Sequence, residues 1–188
     1  MSDGNGRLIV ISAPSGTGKG TVIAKMMELR PELVMSVSAT TRLPRAGEVD
    51  GESYHFIKSG KFMEMIERGE FLEYAEYAGD HYGTPKEPVL RSMDGGADVL
   101  LEIEVKGARQ VMSLVQGAVS IFIVPPDMDE LERRLRGRGT DSEDKLKERL
   151  RIARAELEHK DEYMHIVVND EVVRAAEEIL EIIDKEKR

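Results

Sequence analysis

Residues 8–21, Leu8-Ile-Val-Ile-Ser-Ala-Pro-Ser-Gly-Thr-Gly-Lys-Gly-Thr21, decide the fold. Leu8 to Ile11 is a continuous apolar run, which a strand covered on both faces in a parallel sheet requires. Val22, Ile23 and Met26 mark a helix directly afterwards. A glycine-rich loop carrying a lysine between a strand and its helix is the setting of a phosphate-binding loop. Glycines let backbone N–H groups converge on phosphate oxygens, the helix N-terminus adds positive potential, and Lys19 supplies a mobile cation. The loop departs twice from the pattern G-x-x-x-x-G-K-[ST]: Ala13 stands at the first Gly, and Gly20 stands where a magnesium-binding hydroxyl is usual, with Thr21 one place late.

Outward from this loop, Asp98–Ile103, Ser120–Val124 and Ile166–Val168 are short, β-branched and separated by helical stretches, so an α/β fold with parallel pairing is expected. The last helix shows a stripe of Val172, Val173, Ala176, Ile179, Leu180 and Ile183, and a charged helix before it repeats Leu146, Leu150, Ala153 and Leu157. Residues 34–88 read differently. Ser36-Val37-Ser38, Tyr54-His55-Phe56 and Phe71 to Tyr77 suggest short strands, with a small helix at Phe62, Met65 and Ile66, which together make an inserted lobe. The expected division is a core of 7–33, 89–126 and 156–188, a lobe of 34–88 and a helical lid of 127–155.

The chain has 188 residues, 27 basic and 36 acidic, for a net charge of −9. That balance argues against nucleic acid or an anionic membrane as partner, so any anion must be held locally. The absence of Cys excludes disulfides, thiolate metal sites and a Cys nucleophile, and makes the cytoplasm the default. Apolar runs such as Ile121 to Val124 are far too short for a bilayer span, and Ser2 to Gly6 lacks a signal-peptide core. No heptad is left unassigned, so a monomer and a homodimer are both compatible with the text.

The second chemical signal is Ser38-Ala-Thr-Thr-Arg42-Leu-Pro-Arg45-Ala-Gly-Glu48, followed by Tyr54. Two guanidinium groups on a loop stiffened by Pro44 suit phosphate, although arginines alone also decorate surfaces. Here the sequence resembles the guanylate kinase family, from Leu8 to about Ile183. The resemblance rests on Ser15–Lys19, the arginine run, Phe71-Leu-Glu73-Tyr, Tyr82-Gly-Thr84, Leu101-Glu-Ile-Glu104, Arg138-Gly139 and Val168-Asn169-Asp170.

The resemblance implies transfer of the γ-phosphoryl of ATP to GMP with Mg²⁺, dGMP being a further acceptor. It also implies a P-loop NTPase-type α/β fold: a parallel sheet core with helices on both faces, an inserted small mixed β/α lobe for GMP and a helical lid. By motif position, Ser15, Gly16, Thr17, Gly18, Lys19, Gly20, Thr21, Arg138 and Asn169 fall on ATP. Arg42, Arg45, Tyr54 and Tyr82 fall on the GMP phosphate, and Ser38, Glu73 and Thr84 on guanine. The types agree with the chemistry, since one carboxylate accepts from both N1–H and N2–H of guanine, whereas adenine offers an acceptor at N1. Taken singly, the tyrosines are equally consistent with packing, Ser38 and Thr84 with turns or caps, and Glu73 with an outward strand position. Glu102 is expected to approach the nucleoside and Glu104 to hold water around Mg²⁺, an ion pair with Lys19 or Lys106 being the alternative for either.

Residues 130–154 contain nine basic and six acidic side chains, against the sign of the whole. The resemblance marks Arg134, Arg138 and Arg149 there as lid arginines, and with Lys19 and Arg42 they form the expected catalytic set. Glu130 and Arg134 also read as an ordinary i, i+4 pair. A phosphate monoester has a second pKa of about 6, so its oxygen is already a nucleophile and needs no protein base. His55, His81, His159 and His165 lack metal-ligand spacing and are expected to be surface or packing residues. Two other readings stay open on the sequence: a phosphate-loop kinase for another nucleoside monophosphate, and a guanylate-kinase-like binding module without catalysis.

Overall fold

The computed structural model describes residues 6–77, 79–137 and 142–186. They fall into two compact units: one holds the chain up to Leu8, Leu33–Leu101 and Lys106–Ala118, and the other Ile9–Glu32, Glu102–Val105 and the chain from Val119 onward. The fold is α/β, with parallel strands flanked by helices.

In the second unit, β1 (Leu8–Ser12) pairs in parallel with β8 (Val119–Val124), and β8 with β9 (His165–Val168). Every residue of β1 is buried, as its unbroken apolar run requires. Edge strand β9 differs from that expectation: Val167 is buried, but Ile166 and Val168 are exposed on the other face. Helix α1 (Lys19–Leu29) buries Val22, Ile23 and Met26 and packs on α7 (Val172–Lys185). Arg30, next after α1, makes two hydrogen bonds of 2.9 and 2.6 Å to the Asp184 carboxylate. The buried stripe of α7 runs through Ala175, Ala176, Ile179, Leu180 and Ile183; Val173, expected inside, is exposed, and small Ala175 takes the inward position. Helices α5 (Met128–Gly137) and α6 (Glu143–Leu157) share a separate core of Leu131, Leu135, Leu146, Leu150 and Ala153.

In the first unit, β2 (Val34–Met35) pairs in parallel with β7 (Val99–Glu102), and α3 (Lys86–Asp94) and α4 (Val105–Leu114) flank the same stretch of chain. Arg7 is tied to Asp98 through its amide and guanidinium. A second, mixed sheet runs in the order β4 (His55–Phe56), β3 (Ala39–Thr40), β6 (Asp80–Pro85), β5 (Phe71–Tyr77). Helix α2 (Ser59–Glu67) closes it with Phe62, which stacks on Phe71 at 4.5 Å and packs with Ala39. Ser36–Ser38, expected as a strand, is none. Ser36 N donates to Leu100 O and Ser38 O accepts from His55 N, so these three residues carry the chain from one sheet to the other with a single bond at either end.

Candidate active site

The phosphate loop is built by backbone conformation. Gly16 and Gly18 both have φ of 93°, a left-handed region that side chains disfavour, and Gly18 caps α1. The floor is equally demanding. A Cβ on Gly16 would stand 2.6 Å from Leu135 Cδ2, so α5 lies directly against the loop, and one on Gly18 would stand 2.7 Å from Asn169 Nδ2. Asn169 and Thr17 are buried, and Asn169 Nδ2 donates to Thr17 O at 2.7 Å. Asn169 Oδ1 and Thr17 Oγ1 are buried without a hydrogen-bond partner in the described structure. Gly20 and Thr21 are exposed at the first turn of α1.

Lys19 Nζ donates to Ile103 O at 3.3 Å and lies 3.8 Å from Glu102 Oε1, so Glu102 stands with Lys19 at the end of β7. Burial pushes the Lys19 ammonium below its ordinary pKa, opposed by the charges of Glu102, Glu104 and Glu156. Glu156, on α6, was not marked by the sequence. Its carboxyl is raised above the usual range, first by burial and then by Glu104, and its Oε2 has no partner in the described structure.

The arginines of α5 and α6 meet the loop. Arg134 donates to Thr17 O at 3.0 Å, to Asn169 O at 2.9 Å and to Glu130 at 2.6 Å. Glu130 accepts from Arg133 as well, and hydrogen bonds from Arg133 and Arg134 hold its carboxyl down at about 2. Arg149 donates to Ser15 Oγ at 2.7 Å. Arg138 lies outside the described residues.

In the first unit, Arg42, Tyr54 and Tyr82 come together. The Arg42 guanidinium sits 5.4 Å above the Tyr54 ring, and Tyr82 meets Tyr54 edge-on at 6.0 Å. Glu48 takes a two-pronged bond from Arg42, at 2.9 and 2.8 Å, and a third from the Arg45 amide at 2.6 Å. Hydrogen bonds from Arg42 hold the Glu48 carboxyl below the usual range, and the same contact raises Arg42. Arg45 itself is exposed, and Ser38 is half-buried beside β3.

Glu73 and Thr84 face one another across the β5–β6 ladder. Both are buried, and Thr84 Oγ1 donates to Glu73 Oε1 at 2.6 Å, so Glu73 is no outward strand residue. Tyr82 and Thr84 are two residues apart on β6 and therefore share a face, about 7 Å apart along the strand. The buried carboxylate and Tyr82 thus lie on one small sheet, with Arg42 just after β3 and Tyr54 just before β4.

The family model for guanylate kinase matches residues 5–186. The guanylate kinase of Trichormus variabilis is 51% identical over 93% of this chain and 88% of its own length; that of Desulfitobacterium hafniense is 46% identical over 100% and 94%. The chain belongs to the guanylate kinase family. A crystal structure of guanylate kinase from Anaplasma phagocytophilum superposes with a TM-score of 0.80 at 34% identity, covering 98% of this chain and 88% of that one. Membership favours neither a phosphate-loop kinase for another nucleoside monophosphate nor a binding module without catalysis. The sequence quoted Glu48 within its arginine motif without giving it a task; its three hydrogen bonds now supply one. Glu156 carried no signal beyond its place on a charged helix.

Proposed function

We propose that this guanylate kinase family member transfers the γ-phosphoryl group of ATP to GMP, giving ADP and GDP, by neutralising charge and aligning the two phosphates. The observation that carries the acceptor assignment is the buried Glu73–Thr84 pair, on the sheet that also carries Tyr82 of the Arg42–Tyr54–Tyr82 cluster. Glu73 accepts from guanine N1–H and N2–H, Ser38 and Thr84 complete the base pocket, and Arg42, Arg45, Tyr54 and Tyr82 take the GMP phosphate. On the donor side, residues 15–21 cradle the ATP phosphates, Lys19 neutralises the transferring group, and Arg134, Arg138 and Arg149 add positive charge from the lid. Asn169 supports the loop from behind and meets the nucleoside end of ATP, while Glu102 orients Lys19 and approaches the acceptor. dGMP is accepted because none of these contacts needs the 2′-hydroxyl.

The residues fit a magnesium ion carried on the nucleotide. Mg²⁺ keeps several waters and takes one or two protein carboxylates plus phosphate oxygens. Among the described residues no three acidic or imidazole groups form a cation cage, whereas exposed Glu104 stands at the end of β7, near enough to influence Lys19 and Glu156. Glu104 would hold the ion through water, in place of the hydroxyl missing at Gly20. When bound, the ion supplies positive charge to the β and γ phosphates.

No helix among the described residues is long and apolar enough to cross a membrane. A coupled ADP-release assay with GMP, dGMP, AMP, UMP and CMP as acceptors tests the assignment. Rapid turnover with GMP and dGMP is expected; preferential turnover of AMP or a pyrimidine nucleotide overturns it.

Two further outcomes follow from the ionisable groups. Glu48→Gln keeps the side chain's size but removes the charge that orients Arg42, so the KM for GMP should rise about three- to tenfold with kcat less affected. Steady-state kinetics with varied GMP checks this, and an unchanged KM means that Arg42 does not need Glu48. For Lys19 the sign is set by burial, which lowers its pKa. A triphosphate favours the charged ammonium and raises that pKa, so ATP binding should take up protons at pH values between the two. Calorimetric titrations in buffers of different ionisation enthalpy measure the uptake, which Lys19→Met should abolish; no uptake in the unsubstituted protein contradicts the assignment.

A further inference from the structure

Helix α4 belongs neither to the phosphate loop nor to the arginine cluster, yet its N-terminal half touches the strand that carries Glu73 at two points. Gly107, in the first turn, is buried, and a Cβ built there would lie 2.5 Å from Glu73 Oε2, 3.1 Å from Cδ and 3.4 Å from Cγ. Only the missing methyl group makes room for the carboxylate. One turn on, Gln110 bonds the main chain of Tyr74 at both ends: Tyr74 N donates to Gln110 Oε1 at 3.2 Å, and Gln110 Nε2 donates to Tyr74 O at 2.9 Å. Strand β5 is the edge of its sheet, so this carboxamide takes the place of a neighbouring strand beside Glu73.

We propose that Gly107 and Gln110 are positioning residues for base selection, α4 acting as a template that fixes where the Glu73 carboxylate stands. Gln110 sets the strand's position against the helix, and Gly107 sets how far the carboxylate reaches toward it. The direction of any movement is decided by what surrounds the side chain. Thr84 holds Oε1 at 2.6 Å and the residue is buried, so a methyl group at position 107 cannot be accommodated by swinging Glu73 into solvent. It displaces the very oxygens that accept from guanine. Because hydrogen bonds to a buried carboxylate weaken steeply with distance and angle, a shift of under 1 Å is enough to lose guanine binding and selectivity.

The inference rests on Glu73 being the guanine reader. Its test therefore measures kcat and KM for GMP, AMP and ATP, with melting temperatures, in Gly107→Ala, Gln110→Ala, Glu73→Gln and the double variant Gly107→Ala/Glu73→Asp. Gly107→Ala should raise the KM for GMP at least about tenfold and cut the preference for GMP over AMP by a similar factor, while the KM for ATP stays within about twofold. Gln110→Ala should act in the same direction by about threefold. Glu73→Asp withdraws the carboxylate by one methylene, so in the Gly107→Ala background it should recover part of the lost affinity for GMP. A folded Gly107→Ala protein with unchanged KM for GMP and unchanged base preference overturns the proposal. If that variant does not fold, the same null result in Gln110→Ala overturns it. Retention of full guanine preference by Glu73→Gln removes the reading of Glu73 itself, and the inference falls with it; loss of preference there without any effect at 107 and 110 refutes the inference alone.

Discussion

Lys19→Ala should lower kcat by at least about a hundredfold, equivalent to about 3 kcal/mol of transition-state stabilisation, while the KM for GMP changes little. The reasoning is electrostatic. Phosphoryl transfer needs no base here, because the acceptor monoester is already anionic near neutral pH, and the barrier lies in bringing two polyanions together. Lys19 is the half-buried cation of the phosphate loop, held by Ile103 O on one side and Glu102 on the other, and it is preorganised before the nucleotide arrives. Removing it deletes charge from the group that passes between oxygens. Single-turnover kinetics at saturating ATP and GMP isolate the chemical step. Near-normal turnover would show that the loop holds ATP without contributing to transfer.

Glu73→Gln should cost kcat/KM for GMP about a thousandfold, roughly 4 kcal/mol, and remove most of the discrimination against AMP. An amide at this position turns one acceptor into an NH₂ donor, which faces a donor on guanine. The variant keeps the shape and volume of the pocket, so its folding should be little disturbed, and the Thr84 hydroxyl still finds an oxygen to donate to. A site whose buried polar groups are matched to one ligand punishes a mismatch far more than an apolar pocket does. Parallel assays with GMP and AMP read the change, and an unaltered ratio between them would place base recognition elsewhere.

Some of this was legible in the amino-acid order and some could not be. Strand β1 and its loop declared themselves because a strand buried on both faces needs an unbroken apolar run, and because glycine at positions 16 and 18 answers a left-handed backbone. Strand β6 did not, since Asp80–Pro85 contains Gly83 and Pro85 and has no alternation of polar and apolar residues. Helix α4 hid for a related reason: it buries Val105, Ala108 and Val111, too small a stripe to stand out beside Lys106, Gly107 and Gln110. Apart from the loop glycines and Asn169, the candidate site residues that sequence marked are those whose side chains carry charge or a hydroxyl. Glu48 lay inside a quoted motif, but only its bonds to Arg42 and the Arg45 amide give it a task. The contribution of Gly107 is an absent atom beside Glu73, which no pattern of side chains reveals.

The account depends most on one arrangement, guanine held by Glu73 and Thr84 with its phosphate at Arg42, Tyr54 and Tyr82. A crystal structure of the chain with GMP tests it directly. The expected result is a base whose N1 and N2 lie within hydrogen-bond distance of the Glu73 carboxylate and a phosphate in contact with the Arg42 guanidinium. GMP bound with its base away from Glu73, or its phosphate seated in the loop of residues 15–21, would contradict it.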